Sequence, residues 1–94
     1  FLILKALRES RGTAIAVTDE EILESQKNLA KQTGILLCPE GAATAAALIK
    51  ARQNGTITID AKVVLFNCAS GLKYPMPGLV QTFEPGQDIA TVLD

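Results

Sequence analysis

Three short apolar runs, separated by longer stretches with a helical pattern, constrain the fold of this 94-residue chain most strongly. The runs cover residues 13–17, 35–38 and 63–66, and branched aliphatic side chains are frequent in them. Runs of this length and content are typical of strands buried in a sheet. Strands that alternate with helices usually pair in parallel through right-handed crossovers. We therefore predict an α/β fold, a three-layer βαβαβ unit built around a parallel sheet.

The clearest helix signal follows the first apolar run. Thr18 and Glu21 have the spacing of a capping box, in which each side chain binds the other residue's backbone amide. Asp19 and Glu20 add negative charge at the positive end of the helix dipole. The helix is predicted to run to about residue 32, with Gly34 as its left-handed stop.

Two further helices are predicted on either side of this one. Residues 1–10 carry apolar side chains at helical spacing, and Gly12 is the predicted stop. An Ala-rich helix is predicted from residues 40–41 to about residue 54, ending at Gly55. Residues 79–94 have little periodicity and are predicted to form an irregular tail.

Composition and charge exclude several classes of function. The net charge is −1 and no basic block occurs, so nucleic-acid or anionic-membrane binding has no electrostatic support. The absence of histidine excludes Ser-His-Asp and Cys-His catalysis and any His-ligated metal site within this chain. The apolar runs are too short to span a membrane. Two cysteines are too few for a disulfide scaffold, and a reduced, cytoplasmic location is the expectation.

The predicted topology brings both cysteines to one place. Parallel sheets bind ligands at the carboxyl ends of their strands. Cys38 ends the second apolar run and Cys68 follows the third, so both should lie at the same edge of the sheet. Each is either a small packed core residue or a neutral group that touches a bound ring or substrate.

Four stretches, taken in order, carry a family resemblance. They are GTAIAVTDEEI at residues 12–22, PEGAATAAAL at 39–48, VVLFN at 63–67 and SGLKYP at 70–75. Together they resemble the C-terminal part of threonine synthases, which are pyridoxal-phosphate enzymes with the fold of the tryptophan synthase β-subunit family. The resemblance implies conversion of O-phospho-L-homoserine and water to L-threonine and phosphate, with the cofactor ring as an electron sink.

The resemblance also implies a set of cofactor-binding residues. In this family the residue after the last core strand hydrogen-bonds the pyridine nitrogen, and that position matches Cys68. Glu40 and Gly41, in the segment 39–42, match a turn that borders the cofactor. Cys38 stands where many relatives carry Glu, and the resemblance places it near the cofactor as well. The chain departs from the commoner pattern, because Cys68 and Ala69 replace a Thr-Gly pair. No catalytic residue and no metal ligand is assigned within this chain.

The resemblance further implies that the chain is one part of a larger enzyme. Residues 1–78 would form the C-terminal portion of the cofactor domain, and residues 79–94 its tail. The lysine and the Gly-rich loop that hold most of the cofactor would lie in an N-terminal remainder, so this chain alone is expected to be inactive. The expected partners are that remainder, a small-molecule substrate and further copies in a homo-oligomer. The alternatives are a threonine or serine dehydratase of the same fold and a non-catalytic α/β binding module.

Overall fold

Three α-helices dominate the structure, a computed structural model that describes residues 1–74, 84–88 and 90. They are α1 (Leu2–Ser10), α2 (Asp19–Thr33) and α3 (Pro39–Gln53), and a single 3-10 turn follows at Gly71–Lys73. None of the helices in this described part is long and apolar enough to cross a membrane. Most of the predicted tail at residues 79–94, together with the predicted domain boundary at residue 78, lies outside the described residues.

The capping box at the start of α2 is confirmed. The Thr18 hydroxyl accepts the Glu21 amide at 3.2 Å, and the Glu21 carboxylate accepts the Thr18 amide at 2.7 Å. These bonds satisfy amide groups that a helix start otherwise leaves without intrahelical partners. At the other end Gly34 has a φ of 74°, so the predicted left-handed stop is also confirmed.

The other two helices are confirmed with small shifts at their ends. The left-handed residue that ends α1 is Arg11, with a φ of 54°, and not the predicted Gly12. Helix α3 begins one residue earlier than predicted, with Pro39 in its first turn, where a missing amide proton costs least. Cys38 caps this helix, because its sulfur accepts the Gly41 amide at 3.3 Å.

The core lies where α2 packs on α3 and on the segment between them. Its buried hydrophobic residues are Leu37, Cys38, Ala42, Ala45, Ala46 and Ala51. The small alanine side chains allow the helices to approach closely. Gln26 of α2 is fully buried, and its Nε2 donates to the Leu37 carbonyl at 2.6 Å. This bond ties α2 to the segment that leads into α3.

Lys50 connects three parts of the chain. Its Nζ lies 2.8 Å from the Glu21 carboxylate and donates to the Ala16 carbonyl at 2.8 Å. The ammonium group therefore holds the first apolar run and the start of α2 against α3. The same ion pair lowers the pKa of Glu21, with the hydrogen bond from the Thr18 amide as the next cause.

The predicted βαβαβ fold with a parallel sheet is wrong for the part of the chain that the structure describes. No strand forms there, and the one pairing recorded is an isolated antiparallel bridge between Leu37 and Ser70. Residues 63–66 form no ladder, and Val64 remains 95% exposed. The apolar runs supply the side-chain pattern of buried strands. A strand also requires neighbouring backbone to pair with, and these runs do not pair with one another.

Candidate functional site

Two distant segments of backbone, residues 36–38 and 69–71, form a short clasp. The Cys38 amide donates to the Ala69 carbonyl at 3.1 Å, and the Gly71 amide donates to the Leu36 carbonyl at 3.0 Å. Glycine is required at position 71, because a β-carbon there would lie 2.6 Å from the Leu37 carbonyl oxygen. The clasp therefore fixes the segment that follows the third apolar run against the segment that leads into α3.

The clasp brings the two cysteines together. Their sulfur atoms lie 3.5 Å apart, although the residues are separated by 30 positions in the chain. Cys38 is fully buried, whereas Cys68 is exposed. The proximity inferred from the sequence is thus present, but it arises from an antiparallel bridge and not from the edge of a parallel sheet.

The surroundings of Cys68 favour its neutral form. The hydrogen bond with Cys38 raises the pKa of the Cys68 thiol, and partial burial and the negative charge of Glu40 act in the same direction. The Cys68 sulfur therefore keeps its proton at neutral pH. A protonated, exposed thiol can donate a hydrogen bond to a neutral acceptor such as a ring nitrogen.

The first turn of α3 supplies the other predicted site residues. The Gly41 amide points at the Cys38 sulfur, and a β-carbon on Gly41 would lie 3.1 Å from the Asn67 side-chain oxygen. Glu40 is exposed, and its charge acts on both Cys68 and Tyr74. The four predicted residues Cys38, Glu40, Gly41 and Cys68 therefore belong to one cluster.

Two members of this neighbourhood were missed by the sequence analysis. The carboxylate of Glu40 raises the pKa of Tyr74, with burial as the second cause, so the tyrosine lies near the cluster. No local pattern signals this, because the proximity depends on how the chain returns to α3. Gln26 supports the clasp through Leu37. The sequence does contain a sign of this buried role. Gln26 lies four positions after Ile22, so it falls on the apolar stripe of α2 despite being polar.

A family model described as pyridoxal-phosphate dependent enzyme matches residues 1–69. The chain belongs to this family. The matched range contains all four residues of the predicted cluster and the whole of α1, α2 and α3. The family match therefore covers most of the residues that the structure describes.

Several curated proteins named threonine synthase are similar to the chain. The one from Methanocaldococcus jannaschii is 42% identical over 82 residues, and the one from Methanosarcina acetivorans is 45% identical over 82 residues. Each alignment covers 87% of this chain and 20% of the relative. A threonine synthase from Mycobacterium leprae is 36% identical over 72 residues, 77% of this chain.

The chain spans only 20% of the length of each of these curated relatives. No solved structure matches it.

Proposed function

We propose that this chain forms one wall of the pyridoxal-phosphate pocket of a threonine synthase. The enzyme would act as a lyase of threonine biosynthesis that converts O-phospho-L-homoserine and water to L-threonine and phosphate. Similarity to proteins named threonine synthase over 87% of the chain supports this assignment. In this proposal residues 1–78 belong to the cofactor domain and residues 79–94 form its tail.

The observation that carries the proposal is the exposed thiol of Cys68, whose sulfur lies 3.5 Å from that of Cys38 at the start of α3. When bound, pyridoxal phosphate supplies an electron sink for carbanion chemistry. Its pyridine nitrogen needs a hydrogen-bond partner, and the Cys68 thiol has the right chemistry, because its raised pKa keeps the S–H proton in place. A neutral donor binds the nitrogen without forcing full protonation of the ring.

The neighbouring residues would orient this thiol. Cys38 holds the Cys68 sulfur at 3.5 Å, and the Gly41 amide holds the Cys38 sulfur at 3.3 Å. Glu40 would face the same pocket, where its charge adds to the larger effect of Cys38 in raising the pKa of Cys68. None of these residues is assigned a proton-transfer step, and the lysine and phosphate loop that the reaction needs would come from the N-terminal remainder of the enzyme.

The reaction itself is tested with the full-length protein that carries this chain, loaded with pyridoxal phosphate and supplied with O-phospho-L-homoserine. We expect phosphate and threonine to appear in equal amounts. Ammonia release from threonine or serine, without phosphate release, would instead identify a dehydratase. If no product forms from any of the three substrates and bound cofactor shows no absorbance, the chain would be part of a non-catalytic binding module. We further propose that the enzyme is cytoplasmic and that it forms a homo-oligomer. Sedimentation of the full-length protein would test its oligomeric state.

The role of Cys68 is tested by comparing Cys68→Ala with Cys68→Ser in the same protein. Loss of one hydrogen bond to the cofactor, worth about 1 kcal/mol, should weaken cofactor binding by roughly fivefold in Cys68→Ala. The hydroxyl of Cys68→Ser can replace the thiol as donor and should restore most of the affinity. Absorbance titration with pyridoxal phosphate measures both. Unchanged affinity and turnover in Cys68→Ala would refute this role.

A further inference from the structure

Cys38 and Cys68 form a dithiol pair whose two members differ in access to solvent. The sulfur atoms are 3.5 Å apart, one fully buried and one exposed. A reagent in solution can therefore reach only the Cys68 thiol directly. The Cys38 thiol is sheltered, but it already contacts the sulfur that the reagent would modify.

The backbone holds the two thiols in this arrangement. The Cys38 amide donates to the carbonyl of Ala69, the residue next to Cys68, at 3.1 Å. The Leu37–Ser70 bridge fixes the register of the two segments that carry the cysteines. A disulfide requires the sulfurs to approach to about 2.05 Å, so closing the pair takes a movement of about 1.5 Å. Cys68 is the exposed member of the pair, so its side chain is the one with room to move.

We propose that Cys38 and Cys68 are a site of reversible covalent modification, at which a low-molecular-weight disulfide oxidises the pair to an intramolecular disulfide. In the first step the Cys68 thiolate attacks one sulfur of the oxidant, forming a mixed disulfide and releasing one thiolate. In the second step the Cys38 thiolate attacks the Cys68 sulfur and releases the other half of the oxidant. The two protons of the protein thiols end on the two released small thiols, so the protein loses two electrons and the oxidant gains them.

The two steps should differ in rate. The raised pKa of Cys68 keeps its thiolate scarce and slows the first step. The Cys38 sulfur already lies 3.5 Å from the Cys68 sulfur, so the second step is intramolecular and needs no encounter with a second reagent molecule. The mixed disulfide on Cys68 should therefore be consumed faster than it forms.

The sequence provides a direct readout by mass. Trypsin, which cleaves after Lys and Arg, places Cys38 in the peptide of residues 32–50 and Cys68 in the peptide of residues 63–73. The full-length protein, stripped of pyridoxal phosphate so that the cofactor does not cover Cys68, is reduced, incubated with oxidised glutathione, alkylated and digested without reductant. We expect a linked pair of these two peptides, lighter than their sum by two hydrogens, at roughly tenfold or more over the glutathione adduct of the 63–73 peptide.

Two variants keep the test decisive. Cys38→Ser removes the second step, so Cys68 should stop as the glutathione adduct. Cys68→Ser removes the accessible thiol at an exposed position, and the buried Cys38 should then stay unmodified. Alkylation of both wild-type peptides, or a stable glutathione adduct on wild-type Cys68 without the linked pair, would overturn the proposal. The readout uses protein without cofactor or substrate, so failure of the disulfide to form is distinguishable from failure of the proposed function, which cofactor binding and turnover report.

Discussion

Two apolar regions of this chain differ in what covers them. Leu37, next to the clasp, is 9% exposed, because α2, α3 and the 69–71 segment surround it. Val64 lies in the run with the strongest strand pattern, yet it is 95% exposed. Both regions have the apolar content of a buried segment. The difference shows that burial depends on a partner surface, and that local composition alone does not supply one.

The most direct test of this comparison truncates one side chain in each region. Leu37→Ala removes a buried side chain and should cost about 3 kcal/mol of unfolding free energy. Val64→Ala removes an exposed one and should cost less than about 0.5 kcal/mol. Urea unfolding of the 94-residue chain, followed by circular dichroism, measures both. Equal losses would contradict the difference in burial.

Gly71→Ala should break the clasp through backbone crowding. The new β-carbon would lie 2.6 Å from the Leu37 carbonyl oxygen, so the two segments must separate, at a cost of about 2 kcal/mol. Gly55→Ala is the matched control, since it has open space around it and carries only the strain of a left-handed residue, about 1 kcal/mol. Hydrogen exchange at the Cys38 amide should accelerate in Gly71→Ala alone. Unchanged exchange there would argue against the clasp.

Thr18→Ala should shorten or loosen the start of α2. The variant loses the hydroxyl that accepts the Glu21 amide, which is worth about 1 kcal/mol at this position in a helix. Thr18→Ser retains the hydroxyl and should cost only a few tenths of that amount, again by urea unfolding. A serine variant as unstable as the alanine variant would show that the methyl group matters more than the cap.

The smallest expected effect concerns the dependence of stability on pH. The ion pair with Lys50 lowers the pKa of Glu21 in the folded chain below its ordinary value of 4.5. The stabilisation is therefore fully present above that value and is lost as the pH falls through the folded-state pKa. Glu21→Gln should flatten the stability profile in this acidic range and leave its slope near pH 7 unchanged. A parallel profile would indicate that the exposed pair contributes nothing measurable.

The helices could be predicted from the sequence because their ends are local. The Thr18 and Glu21 pair and the left-handed Gly34 act within a few residues, and the structure contains both. The absence of a sheet among the residues that the structure describes was not predictable in the same way. Strand pairing joins distant residues, and the pattern of an apolar run carries no information on whether a partner is present.

The sequence predicted which residues form the candidate site better than it predicted how they are arranged. The cysteines were expected together, and they are 3.5 Å apart. The antiparallel direction of the bridge, the approach of Tyr74 and the support from Gln26 all depend on how the chain returns to α3. Those contacts arise from packing and have no counterpart in residue spacing.

The clasp also has a consequence for how the chain could be cut and rejoined. It closes a ring of backbone that contains the whole of α3, and the turn from residue 54 to residue 60 lies on the outer side of that ring with mostly exposed residues. A single nick between residues 54 and 57 would leave two peptides held by the clasp and by the Ile57 amide, which donates to the Ala51 carbonyl at 3.0 Å. The same turn is therefore the natural place for new termini in a permuted or split version of the protein.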